Sequence, residues 1–177
     1  ILLVKRILHT MTFILTKTQV CCGFTEKVGK ENRYQLMNIL KGNNPTTPSV
    51  DIELVLAGDQ FDLELITTVL NIKPTVQWRK GDTISNRPIV RQDTTWSFGI
   101  GLQSSYDIEE QSKQLLSIFI NRLDKLKLLK RELNIDILIL YTVKVYNSET
   151  PIMSLSSEII NFAGEIGAKI DFDLYFC

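Results

Sequence analysis

The stretch that most constrains this fold is residues 135–147, "IDILILYTVKVYN". Its side chains are almost all apolar, and β-branched Ile and Val recur along it. A run of this kind reads as a strand with neighbours on both sides, central in its sheet. The chain must therefore supply further strands to pair with it.

Those strands are readable from residue 50 onward. In "VDIELVLAG", Val50, Ile52, Leu54 and Leu56 alternate with Asp51, Glu53 and Val55, the period of a half-buried strand. "DQFDLELITTVLNIKP" follows as a helix, with Asp59 as its cap, Phe61, Leu65, Ile66 and Leu70 at helical spacing, and Pro74 as its stop. "TVQWRKGD" and "TTWSFGIGLQ" read as two strands, joined by a long polar loop that contains Pro88. Alternation places Trp78 with Trp96 toward the core, and Gln77 with Arg79 on the polar face.

"SYDIEEQSKQLLSIFINRLDKLKLLKREL" reads as one long helix, its stripe formed by Leu116, Phe119, Leu123, Leu126 and Leu133. Acids at its start and Lys130 and Arg131 near its end suit the helix dipole. A short helix in "SLSSEIINFAGEIGA" is capped by Ser154 or Ser156 and stopped by Gly167. "KIDFDLYF" closes the chain, with Asp171, Asp173 and Tyr175 alternating against Ile170, Phe172, Leu174 and Phe176.

The order is β-α-β-β-α-β-α-β. The expectation is an α+β fold, a ferredoxin-like sandwich with a mixed sheet of about five strands, helices on one face and one added αβ unit.

Charge divides the chain. Residues 1–50 carry seven Lys/Arg and two Asp/Glu, a net +5, and residues 51–177 carry thirteen and eighteen, a net −5. Residues 1–49 read as an extension ending in the linker "KGNNPTTPS", and 50–177 as a single α+β domain. Two readings of the extension stay open: a poorly ordered segment that Met11 or Met37 as start would leave out of the native product, or an amphipathic surface helix. Lys5, Arg6 and His9 interrupt "ILLVKRILHTMTFIL", so no run there is long enough to span a bilayer, and it lacks the plan of a signal peptide. Cys21 and Cys22 are adjacent and Cys177 is terminal, with no CxxC and one histidine. Reduced thiols in a cytoplasmic protein follow as the expectation, with no metal and no cofactor.

Three blocks carry a family resemblance: "LAGDQFDLELITTVLNIKPTVQWRKGD", then "WSF", then "SLSSEIINFAGEIGAKIDFDLYFC". They are similar, over about residues 51–177, to the bacterial family known as domain of unknown function 4279. The resemblance implies a small cytoplasmic α+β domain and carries over no activity and no catalytic residues.

The residues themselves offer little catalysis. A triad would need His9 as its base, there is no GxSxG, and Gly99 and Gly101 do not complete a phosphate cradle. Those glycines read as relief for a tryptophan packing across the sheet. Asp51 and Glu53 on the first strand and Asp171 and Asp173 on the last share the polar face, where they could hold a cation or raise one another's pKa values. Arg79 or Lys144 could equally neutralise them across the sheet. Arg79, Lys80, Arg87 and Arg91 form the basic patch of the hairpin and read as a contact for an anion or an acidic partner. Nucleic acid is disfavoured by the net −5 of this region and by the expected burial of both tryptophans. The favoured reading is a non-catalytic binding or inhibitory module for another protein, including immunity-type neutralisation of a toxin. The alternative is an enzyme or a small-ligand or metal-binding protein using the acidic face.

Overall fold

A computed structural model describes residues 46–84 and 89–177. His9, Cys21, Cys22, the extension through residue 45 and Arg87 lie outside the described residues. Within the compact unit Thr47–Phe176, the order is β1 (Ser49–Gly58), α1 (Leu63–Leu70), β2 (Val76–Trp78), β3 (Thr94–Gly99), β4 (Gln103–Ser104), α2 (Glu109–Phe119), a 3₁₀ turn (Ile120–Arg122), α3 (Leu123–Leu133), β5 (Asp136–Val145), α4 (Ser157–Ile166) and β6 (Lys169–Phe176).

The sheet is mixed and six-stranded, one more strand than the sequence suggests. Five strands lie in the order β2-β3-β1-β5-β6, and β4 pairs with the start of β1. The sixth strand arises because "TTWSFGIGLQ" is not continuous: the chain leaves the ladder after Gly99, turns through Gly101 at φ +85°, and re-pairs at Gln103. Among the described strands β5 and β6 form the parallel pair, joined by α4 as crossover, and the other pairs are antiparallel. β5 is flanked on both sides, as its composition requires.

One face of the sheet makes the core. Val50, Ile52, Leu54 and Leu56 of β1, Trp96 of β3, and Ile137, Ile139, Tyr141 and Val143 of β5 are buried against Leu63, Ile66, Leu115, Phe119, Leu126, Ile159 and Phe162 of the helices. Each such aliphatic side chain contributes about 1.5–3 kcal/mol through its removal from water. Two polar pairs are satisfied inside this layer: Trp96 Nε1 donates to Thr67 Oγ1 at 3.1 Å, and the hydroxyls of Ser112 and Tyr141 lie 2.9 Å apart. Burial pushes the Tyr141 phenol above its ordinary pKa, opposed by the Ser112 hydrogen bond and reinforced by Glu109.

Four local expectations change. The cap of α1 is Asp62, whose carboxylate accepts from the Glu64 N–H at 3.0 Å, while Asp59 pairs with Lys80. Asn71 in the left-handed conformation, rather than Pro74, terminates that helix. The long helix breaks at Ile120–Arg122, because Arg122 turns in to donate to Leu70 O at 2.8 Å and to Ile118 O, tying the break to the end of α1. Its buried stripe is Leu115, Phe119, Leu126 and Leu129, with Leu116, Leu123 and Leu133 at the margin.

The loop between β2 and β3 is also shorter than expected. Gly81 N–H donates to Arg91 O, Arg91 N–H to Asp82 O, and Ile84 N–H to Ile89 O, with Thr83 bridged to Val90. A two-stranded ribbon thus runs outward from the sheet.

Candidate functional site

Register decides which side chains share the face away from the helices. In β2 and β3 the partners are Val76 with Ser97, Gln77 with Trp96 and Trp78 with Thr95. Directly opposed residues point to the same side, so this register puts Gln77 on the side of Trp96 and sends Trp78 to the other. The expected burial of both tryptophans beside each other is therefore wrong. Trp96 is fully buried in the core, and Trp78 lies half-buried on the open face.

That open face is built in rows. Trp78, Thr95, Ala57 and Asp136 form one, and Val76, Ser97, Val55, Leu138 and Lys169 the next. Gly99, Glu53, Leu140 and Asp171 follow, and then Asp51, Thr142 and Asp173. Among the described residues no helix covers it.

Trp78 is held from two sides. Its Nε1 donates to Asp93 Oδ1 at 3.1 Å, and the Arg91 guanidinium lies 3.9 Å from its ring centroid. Arg91 and Asp93 lie just before β3 begins at Thr94, and both reach the Trp78 indole. An exposed stack of this kind is worth about 0.5–1 kcal/mol and fixes a long, flexible side chain in place.

The other basic residues of the hairpin go elsewhere. The Arg79 N–H donates to Asp82 Oδ2 at 2.7 Å, and Lys80 pairs with Asp59. With Gln60, Phe61 and Thr94 they line a cleft of about 370 Å³ on the helix side of the sheet. The expected basic patch is thus divided, Arg91 on the open face and Arg79 with Lys80 at the cleft.

The four carboxylates do share the open face, in two pairs rather than one cluster. β5 lies between them, so Glu53 and Asp171 sit on either side of Leu140, and Asp51 and Asp173 on either side of Thr142, about 10 Å apart. Among the described residues no three Asp, Glu, His or Cys side chains are placed to hold a metal ion. Neither Arg79 nor Lys144 forms an ion pair with any of the four.

Asp51 and Glu53 are the more structured pair. Glu53 Oε2 accepts from the Ser97 hydroxyl at 2.6 Å, whereas Asp51 Oδ1 is cut off from solvent without a hydrogen-bond partner. Burial, and after it the charge of Glu53, pushes the Asp51 carboxyl above its ordinary pKa; the backbone N–H groups of Gly101 and Ile52 oppose this. Gly99 makes the room: a Cβ there would lie 2.9 Å from Glu53 Cγ and 3.5 Å from Asp51 Oδ1. The expected relief of a tryptophan is therefore relief of these two acids. Thr75 fixes the glycine, its hydroxyl accepting from the Gly99 N–H at 2.9 Å and donating to Ser97 O at 3.2 Å.

The family model for a domain of unknown function, DUF4279, matches residues 47–177. The chain belongs to this family. The match covers every strand and helix described above. No curated protein and no solved structure matches the chain significantly. No helix among the described residues is long and apolar enough to cross a membrane.

Sequence reasoning missed Trp78 and Asp93 as members of this face, though it set Ser97 and Gly99 opposite Trp96 and Phe98. Alternation of small and polar Thr95, Ser97 and Gly99 against Trp96 and Phe98 was the available signal that β3 has two unlike sides.

A larger cleft of about 840 Å³ lies at the C-terminal ends of α3 and α4, lined by Lys127, Lys130, Arg131, Asn134 and Glu165 among others. Its lysines are engaged internally, Lys127 with Glu165 and Lys130 with the Gly167 carbonyl, where a cation suits the helix end.

Proposed function

We propose that this DUF4279 domain is a non-catalytic binding module that takes a protein partner on the open face of its sheet. The observation that carries the reading is the Arg91–Trp78 stack. Tryptophan and arginine are the residue types most enriched where interfaces hold their binding energy, and here the ring is already hydrogen-bonded to Asp93 and stacked under Arg91. An inhibitory role, including immunity-type neutralisation of a toxin, is the specific form favoured, in a cytoplasmic setting. Nucleic acid is disfavoured, since residues 51–177 carry a net −5.

The wiring supports a ferredoxin-like assignment for the core. β5, β1, β3 and β2 lie side by side with β-α-β-β-α-β connectivity, and α4 with β6 is the added unit.

The test is affinity capture by the tagged full chain from a lysate of its source cells, beside a Trp78→Ala/Arg91→Ala variant of similar melting temperature. One stoichiometric protein, lost in the variant, supports the module; a partner retained equally by both rejects this face.

The raised pKa and unpartnered oxygen of Asp51 favour a second reading, a small-ligand or metal-binding protein using the acidic face. A metal-dependent rise in melting temperature, abolished by Asp171→Ala, would support it.

A further inference from the structure

We infer that the partner segment received by the open face is cationic, a basic strand or loop with alternating apolar side chains. The inference rests on the binding-module reading and concerns the β1, β5 and β6 part of the same face. Two observations meet there. Val76 of β2, Val55 of β1 and Leu138 and Leu140 of β5 form a partly exposed apolar strip, interrupted on β3 by the buried Ser97, and Val76 is 46% exposed. Glu53 and Asp171 bracket this strip at Leu140, and Asp51 and Asp173 stand one row beyond it.

None of those four carboxylates has a cationic partner among the described residues, although Asp59, Glu109, Glu132, Asp136 and Glu165 each have one. Other carboxylates, such as Asp62, Glu64 and Glu110, also stand without an ion pair, but these four flank a single strand, β5, on one face.

The nearby cations do not cancel this field. Lys169 is paired with Asp136, and Arg91 is stacked on Trp78 two strands away from β5. Lys144 lies in the row beyond Asp51 and Asp173, between Ser49 and Tyr175. A basic segment would lay its apolar side chains on Val55, Leu138 and Leu140 and its cations against the two acidic rows. Like-charged segments would be repelled, so this surface selects as well as attracts.

The experiment uses the full chain and two fluorescein-labelled peptides, one of alternating Lys and Leu and one of alternating Glu and Leu, followed by anisotropy. The Lys-Leu peptide is expected to bind at least tenfold more tightly than the Glu-Leu peptide. Raising salt from 50 to 300 mM and the Asp171→Asn/Asp173→Asn variant should each weaken it several-fold, because the contacts are exposed and screened. Equal binding of the two peptides, no binding of either, or indifference to the variant would overturn the inference. The lysate capture separates this from failure of the module reading. A partner lost on Trp78→Ala/Arg91→Ala but kept by Asp171→Asn/Asp173→Asn leaves the module standing and removes the cationic partner.

Discussion

Trp78 and Trp96 stand on opposite faces of one sheet, and each indole is anchored by its own acceptor. Trp96 Nε1 donates to Thr67 Oγ1 of α1 in the core, and Trp78 Nε1 donates to Asp93 on the open side, both at 3.1 Å. The two should differ sharply in worth. Trp96→Ala removes a fully buried ring and should cost about 3–5 kcal/mol. Trp78→Ala loses a half-exposed stack and should cost about 1 kcal/mol. Urea unfolding of the two variants decides it; comparable losses would place Trp78 in the core after all.

Gly99 and Glu53 should be coupled. A methyl group at Gly99 meets Glu53 Cγ at 2.9 Å and must displace a side chain that Ser97 holds. Gly99→Ala is expected to cost about 1–3 kcal/mol. In the Glu53→Ala background most of that cost should disappear, a coupling measurable by a double-mutant cycle. Additive losses would mean that the backbone, not the acid, demands glycine.

Asp51 should make stability depend on pH in a stated direction. Its pKa in the folded chain lies above the ordinary 3.8, so the folded state holds this proton more tightly than the unfolded chain. The stability contributed is fully present below 3.8 and is lost as pH rises through the folded value. Asp51→Asn removes that loss. The variant should therefore melt higher than wild type at pH 7, with the gap closing as pH falls toward 4. A gap of constant size would point to packing rather than charge.

Arg122 should matter to α1 although it lies far along the chain. Its Nε satisfies Leu70 O, a carbonyl at the end of α1, at 2.8 Å. Arg122→Leu should cost about 1–3 kcal/mol by leaving that acceptor unpaired. Hydrogen exchange should show the extra opening first in Leu63–Leu70; opening confined to α2 would contradict this role.

The sheet was readable where burial is one-sided and strands are long. Alternation in β1 and the apolar run of β5 reflect the core directly, and Gly167 marked the end of α4 by its left-handed conformation. The parity of β2 was hidden because it depends on how residues 81–84 pair with 89–91, which no single strand records. Three residues at a sheet edge are too few to reveal their own inner face. The break at Ile120–Arg122 was invisible for a related reason: Leu115, Phe119, Leu126 and Leu129 keep helical phase across it. Asp51, Glu53, Asp171 and Asp173 were legible as one face, but not the strand that separates them, because topology sets that distance.

The most direct test of the binding face is acrylamide quenching of single-tryptophan chains, Trp96→Phe to report Trp78 and Trp78→Phe to report Trp96, with and without the captured partner. Trp78 should be quenched in the free chain and shielded in the complex, while Trp96 stays protected in both. Equal quenching of Trp78 with and without partner would show that the partner binds elsewhere.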